Sequence, residues 1–405
     1  MSTGFSAQRS ALAVRRIVVL SNGHGEDAIG AVLGRELTTL GFDVSALPLV
    51  GKGDAYELQG FQVLGPRREM PSGGMVHLNP KMFWRDLQAG WLSMSLAQWK
   101  ALRQAAKNAA ATLVVGDLYA LLAANLFGGR PLFQVQPLVS VRYQNGLGLL
   151  DELPRITVNR FVLPERLLMR KAAGVYLRDR ESAEWLNEHG VPQARYLGNP
   201  LMDAASGTAA LDLPAPYLLL LPGSREDAYF SLPVMLEALR QLRDYPLTPV
   251  IAWAREPVVN LGLSGWQLTP TGQTAGVTHL IEHLDGTRAY LAQHAFKIAL
   301  ENSQLALSTS GTAAEQAAGH GIPLISFPTP GPQYTPAFAK AQKRLLQDAL
   351  TLTSAKPATV AGAVHQLMTI PNLYHDAQKA GRELMGEPGA VGRIAQDIAN
   401  HLTKN

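Results

Sequence analysis

Residues 15–37 read RRIVVLSNGHGEDAIGAVLGREL. Residues 16–20, RIVVL, are a short apolar run suited to a strand buried on both faces. A turn rich in glycine follows, with Gly23 and Gly25 on either side of His24, and a helix is expected from 26 to 40. Strand, tight turn and helix in succession are the opening of a parallel α/β fold. The same alternation continues outward. Further strands are expected at 43–49, 112–116, 131–136 and 174–178, with helices at 95–110, 118–127 and 180–189. After GNPLMDAASGTAALDLPAP (198–216), rich in Gly, Ala and Pro, a second series starts. It predicts strands at 217–221, 249–253, 304–308 and 323–327, and helices at 231–243, 287–301, 311–320 and 336–350.

Two such series imply two doubly wound, Rossmann-like α/β domains facing each other across a cleft. The expected division is a flexible N-terminus at 1–14, a first domain at 15–205, a second at 206–388, and a C-terminal helix at 389–405 that packs back on the first domain. A chain of 405 residues with 47% hydrophobic and 17% charged residues can bury two cores of that size and is not a disordered polymer. The sequence has no cysteine, which excludes disulfides and thiolate metal sites. Residues 1–14 lack the apolar core of a signal peptide, and no apolar run reaches the roughly 18–20 residues that span a bilayer.

Ligands of doubly wound domains bind beyond the carboxyl ends of the strands. Four loops there carry chemistry: SNGHGED (21–27), GDLY (116–119), PGSRED (222–227) and STSGTAAEQAAGHGIP (308–323). In the second domain, Gly223 permits close backbone approach, Ser224 offers a hydroxyl and Arg225 a charged fork for phosphate oxygens. Ser310, Gly311 and Thr312 open a helix whose free N–H groups favour negative charge. Together the two loops suit a diphosphate; taken singly, Ser224 and Ser310 could be plain helix caps.

These loops also resemble a family. LLPGSRE (220–226), YLGNPLMD (196–203), STSGTAAEQAAGHGIP (308–323) and GEDAIGAVLGREL (25–37) resemble lipid-A-disaccharide synthase. GHGED (23–27), MPSGG (70–74) and RDLQAG (85–90) look more like the group related to that synthase than the synthase itself. The resemblance implies the two-domain glycosyltransferase-B fold. It also implies transfer of a sugar from a UDP-sugar to a lipid-linked acceptor, with inversion and without a metal or other cofactor. The sequence agrees on the metal, since it holds no Asp-x-Asp pair to carry a cation on the diphosphate. Arg225 and helix N-termini would neutralise the leaving group instead.

One position departs from the family. The resemblance implies a ribose-binding glutamate seven residues before the proline of the last motif, and counting back from Pro323 gives Gln316. Glu315 is adjacent but about 100° around the helix. Glutamine keeps a hydrogen bond but loses the charge-assisted one, so nucleotides other than UDP stay open.

Inverting transfer needs a base for the acceptor hydroxyl. Asp117 follows an apolar strand and matches the aspartate that the resemblance implies for this role; it could equally cap the next helix. His24 is the second candidate, with Gly23, Gly25 and Glu26 beside it on the acceptor side. Asp27 is expected to cap the first helix, His320 to end a helix without catalytic duty, and Asn199 and Asp203 to shape the cleft.

Between 65 and 107 seven basic residues face only two acids, although the whole chain carries a net charge of just +4. A helix at 82–100 would place Trp84, Leu87, Trp91 and Met94 on one face, extended by Leu92, Leu96 and Trp99. Phe83, Trp84, Trp91, Met94 and Trp99, with Arg85 and Lys100, suit a helix lying in a membrane interface, where a lipid acceptor would enter. An amphipathic helix packed on its own core is the alternative. The pattern gives no polar basic stripe for nucleic acid. The expected protein is thus a cytoplasmic enzyme on the inner face of the cytoplasmic membrane, using a nucleotide-sugar donor and a lipid acceptor. A UDP-sugar 2-epimerase and a non-catalytic nucleotide-sugar-binding module are the other two functions these residues fit. Sugar, acceptor and oligomeric state are not encoded in any pattern read here.

Overall fold

A computed structural model describes residues 15–67, 90–144, 160–255, 263–272 and 275–404. By contacts the chain divides into two compact units. One comprises 1–135, 167–175 and 392–405, and the other 136–166 and 176–391. Residues 136–166 and 176–205 therefore group with the second unit, and the C-terminal stretch from 392 groups with the first.

The first sheet contains β1 (Arg16–Ser21), β2 (Asp43–Pro48), β3 (Gln62–Val63), β4 (Ala109–Val115), β5 (Leu132–Gln136), β6 (Gly174–Leu177) and β7 (Ala194–Arg195). Their order is β3-β2-β1-β4-β5-β6-β7, and β3-β2, β2-β1, β1-β4 and β4-β5 are parallel pairs. Ile17, Val18, Val19 and Leu20 are all fully buried, as a strand covered on both faces requires. Between β1 and β4 the strand order reverses. Such a switch point opens a crevice at the carboxyl ends, and the loops after β1 and β4 flank it. Helix α1 (His24–Thr39) follows β1; α2 (Trp91–Ala106) and α3 (Leu118–Phe127) flank β4.

The second sheet contains β8 (Tyr217–Leu221), β9 (Thr248–Ala252), β10 (Trp266–Pro270), β11 (Val277–His283), β12 (Arg288–Ala292), β13 (Ser303–Ser308), β14 (Leu324–Ser326) and β15 (Leu350–Leu352). Their order is β10-β11-β12-β9-β8-β13-β14-β15. The pairs from β12-β9 to β14-β15 are parallel, whereas β10, β11 and β12 form an antiparallel extension. This sheet has its own switch point between β8 and β13, and the loops that follow them are 222–226 and 309–311. Helices α4 (Arg180–Glu188), α5 (Asp227–Leu239), α6 (Thr312–Gly319), α7 (Pro336–Leu346), α8 (Pro371–Met385) and α9 (Ala390–Lys404) complete the elements used below.

Two sequence expectations are corrected. The helix expected at 287–301 is strand β12 followed by a short helix at Phe296–Glu301. Ala289 and Leu291 are fully buried while Arg288 is exposed, a period of two rather than 3.6. The helix expected at 336–350 stops at Leu346, and the chain turns into β15. Along α9, Ile394, Ile398 and Leu402 are buried one turn apart, and His401 meets the edge of the Phe133 ring at 5.3 Å. Each fully buried aliphatic side chain contributes about 1.5–3 kcal/mol relative to exposure, enough to hold the C-terminal segment against the first unit.

Candidate active site

The first-unit site grows from the end of β1. Ser21 closes the strand, Gly23 is the extended residue before α1, and His24 starts the helix. The Ser21 hydroxyl donates to Asp27 Oδ1 at 2.6 Å and accepts from the Tyr56 hydroxyl at 2.8 Å. Asp27 is 2% exposed, and burial lifts its carboxyl to about 7, only partly opposed by the Ser21 hydrogen bond. Glu26 is buried too, and its carboxylate folds back over Gly23. A Cβ there would lie 2.3 Å from Glu26 Oε2, so a larger residue would push the Glu26 carboxylate aside. Glu26 was expected to face the acceptor; it instead closes the first turn of α1, where the helix N-terminus favours a carboxylate. His24 is exposed, and its imidazole lies against Gly51, where a Cβ would come within 2.7 Å of the ring.

Asp117 takes the capping role that the sequence allowed. It caps α3 by accepting from the Tyr119 backbone N–H at 2.9 Å. The same Oδ1 accepts from Asn22 Nδ2 at 2.6 Å, while Oδ2 takes no hydrogen bond among the described residues. One oxygen is thereby fixed by two donors and the other by none among the described residues. Gly116, at φ +148°, makes room: a Cβ there would sit 1.9 Å from Asn22 Oδ1. Asn22 lies inside the quoted turn, but no local pattern marks it. Its importance depends on a partner 95 residues away.

In the second unit the loops after β8 and β13 touch. Thr309 donates its backbone N–H to the Leu221 carbonyl at 3.0 Å and its hydroxyl to the Pro222 carbonyl at 3.1 Å. Gly223 takes the left-handed φ of +97°, turning the loop so that Ser224 is exposed and Arg225 half-buried. Gly311 precedes α6 and, as a glycine, supplies no side-chain cap. The Ser310 N–H is held by Ser308 Oγ at 3.2 Å. From α7, Gln342 Nε2 donates to the Ser310 and Gly311 carbonyls at 2.9 and 3.1 Å. The backbone ahead of α6 is thus fixed through its carbonyls. Asp227, buried at the start of α5, accepts from Thr329 Oγ1 and from the Gln333 and Tyr334 backbone N–H groups, which ties loop 329–334 to the first turn.

Two expected site residues are structural. Gln316 is buried and donates Nε2 to the Leu201 carbonyl at 2.9 Å, so it is not displayed to a ribose. Its neighbour Glu315 pairs with buried Arg178 at 2.6 Å, which holds that guanidinium's pKa above the usual arginine range despite burial. Asn199 is fully buried and accepts from the Leu201 N–H at 3.1 Å, capping the turn Pro200–Asp203 instead of lining an acceptor site. Asp203 accepts from the Gly389 and Val391 N–H groups, at the N-terminus of α9.

The proposed membrane helix is partly inward-facing. Met94 is buried, and Trp99 stacks on Phe127 at 5.3 Å, because α2 packs on α3. Trp91 is half-buried near Tyr119, with ring centroids 6.0 Å apart. Phe83, Trp84 and Arg85 lie outside the described residues. What α2 and α3 expose together is Leu92, Leu96, Leu122 and Leu126, beside exposed Lys100. No described helix is long and apolar enough to cross a membrane, and among the described residues no three His, Asp or Glu side chains converge as metal ligands.

No protein-family profile matches the chain. Lipid-A-disaccharide synthase of Solibacter usitatus is 28% identical over 154 residues, which is 36% of this chain and 36% of that protein. Among solved structures, the UDP complex of MnaA from S. aureus aligns over 96% of this chain and 97% of its own, at TM-score 0.62 and 15% identity. The calicheamicin glycosyltransferase CalG4 aligns over 97% and 99%, at TM-score 0.59 and 15% identity. UDP-GlcNAc 2-epimerase from Neisseria meningitidis bound to UDP-GlcNAc aligns over 96% and 100%, at TM-score 0.54 and 14% identity. These likenesses establish the glycosyltransferase-B fold class, with two Rossmann-like α/β sheets.

Proposed function

We propose that this protein transfers a sugar from a nucleoside-diphosphate sugar, UDP-sugar above all, to a hydroxyl of a lipid acceptor, with inversion and without a metal. The arrangement of Asp117 carries the proposal. A helix cap alone would need one carboxylate oxygen, yet Asn22 and Tyr119 both hold Oδ1 and leave Oδ2 free at the switch point. Asp117 Oδ2 takes the acceptor proton as the acceptor oxygen bonds to the anomeric carbon. The bond from that carbon to the diphosphate breaks, and its electrons leave with the diphosphate. Ser224, Arg225 and the uncapped N–H groups at Gly311 and Thr312 receive that charge. His24 orients the acceptor hydroxyl from the neighbouring turn. The partial likeness to a lipid-A-disaccharide synthase supports the acceptor class.

The exposed leucines of α2 and α3 beside Lys100 support peripheral attachment to an anionic bilayer. The cytoplasmic face of the inner membrane is the matching location.

The epimerase reading is the competitor, favoured by the fold shared with an epimerase bound to UDP-GlcNAc. Incubation with a panel of UDP-sugars, with and without extracted lipids, separates the two. The proposal expects a glycosylated lipid by mass spectrometry and UDP release only when lipid is present. A 2-epimerised UDP-sugar formed without lipid would overturn it.

A further inference from the structure

The donor loops hold a second cation that no sequence motif marks. Strand β9 ends at Ala252, and Arg255 lies three residues beyond it, on the same carboxyl edge as loop 222–226. Arg255 Nη1 donates to the Ser224 carbonyl at 3.3 Å, which sets the guanidinium against the loop that carries Gly223, Ser224 and Arg225. Its Cζ stands 4.9 Å from the centre of the Tyr229 ring, in the first turn of α5. Tyr229 in turn meets the buried Trp253 edge-on, with centroids 6.0 Å apart. Gln293 Nε2 donates to the Arg255 carbonyl at 3.1 Å and fixes the backbone. The side chain is held on two sides, yet no carboxylate among the described residues pairs with it.

A guanidinium carries five N–H donors in a planar fork. One is spent on Ser224. An aromatic face steadies such a cation without neutralising it. Ordering a long charged side chain costs entropy, and no ion pair among the described residues offsets that cost. The arrangement makes sense if an anion completes it. We infer that Arg255 is a binding residue for the terminal phosphate of the nucleoside diphosphate, the one that bears the sugar, and that Tyr229 is its positioning residue. The inference rests on the nucleoside-diphosphate donor proposed above. It adds a further cation for the leaving phosphate, beside the loops 222–225 and 310–312 that receive the charge of the diphosphate.

Titration calorimetry of the full chain with UDP, UMP and uridine tests it. Arg255→Gln should weaken UDP binding about ten- to a hundredfold, the range of a lost charge-assisted contact, while UMP affinity moves less than about threefold. Tyr229→Leu, which keeps the arginine but removes its platform, should lower the UDP-to-UMP preference by about three- to tenfold. Arg255→Lys keeps the charge without the fork and should fall between wild type and Arg255→Gln. Unchanged UDP affinity in Arg255→Gln would overturn the assignment, as would equal losses for UDP and UMP. Failure of the unaltered protein to bind UDP would instead remove the donor reading itself.

Discussion

Asp27→Asn should make the first unit more stable, and more so at high pH. An aspartate in the first turn of a helix ordinarily gains from the helix dipole and stays charged. Here burial wins: the carboxyl is lifted from 3.8 to about 7 by desolvation, against the lowering hydrogen bond from Ser21. The sign follows from linkage. Between those two values the folded chain binds more protons than the unfolded chain, so stability falls as pH rises. The cost is absent below about pH 4, grows at about 1.4 kcal/mol per pH unit, and is complete above about pH 7. At pH 5 it amounts to about 1.5 kcal/mol and at pH 8 to about 4 kcal/mol. Asparagine keeps an acceptor for the Ser21 hydroxyl and carries no charge, so it removes this term. Urea unfolding of wild type and variant at both pH values should show the variant's advantage widening by about 2–3 kcal/mol from pH 5 to pH 8. An advantage that is flat with pH, or narrows, would mean that Asp27 is charged in the folded protein and that the Ser21–Asp27–Tyr56 cluster has been misjudged.

Asp117→Asn should lower turnover by about 10²–10⁴-fold while UDP affinity stays within a factor of about three, by transfer assay and calorimetry; full turnover would take the base role from Asp117. Gln316→Ala should cost about 0.5–1.5 kcal/mol of stability, because the Leu201 carbonyl loses one of its two donors and keeps the Ala204 N–H, yet leave UDP affinity intact; a tenfold affinity loss would return Gln316 to the donor site. Gly116→Ala should lower the melting temperature and turnover together, since its Cβ would displace Asn22 from Asp117; normal values for both would contradict the packing seen there. Replacing exposed Leu96 and Leu126 by glutamate should weaken sedimentation with anionic vesicles several-fold without changing the melting temperature, and unchanged vesicle binding would move the membrane face elsewhere.

The repeating strand–helix series was legible because each central strand is a local apolar run buried on both faces. Ile17–Leu20 and Leu218–Leu221 need no knowledge of their partners to be recognised. The antiparallel β10-β11-β12 extension was not legible. RAYLA is too short to separate a period of two from one of 3.6, and only pairing with Leu280–Glu282 decides it. The loops at the strand ends could be located because Gly-rich turns there carry their candidate residues consecutively.

What the sequence determined by itself is therefore the order of elements, the positions of the loops, and Asp117 as a carboxylate at a strand end. Tertiary structure decided which of those residues are tied into the fold and which stay accessible at the loops. Gln316 and Asn199 look like site residues in a line of letters, but Asn199 is spent on a local cap two residues on, and Gln316 on the Leu201 carbonyl 115 residues back, beyond the reach of any local pattern. Asn22 and Arg255 look ordinary, and they acquire a role only through Asp117, 95 residues on, and Ser224, 31 residues back. The reason is physical. Strand and helix formation depend on neighbours within a few residues, whereas burial and hydrogen-bond partnership depend on which strands the sheet order places side by side.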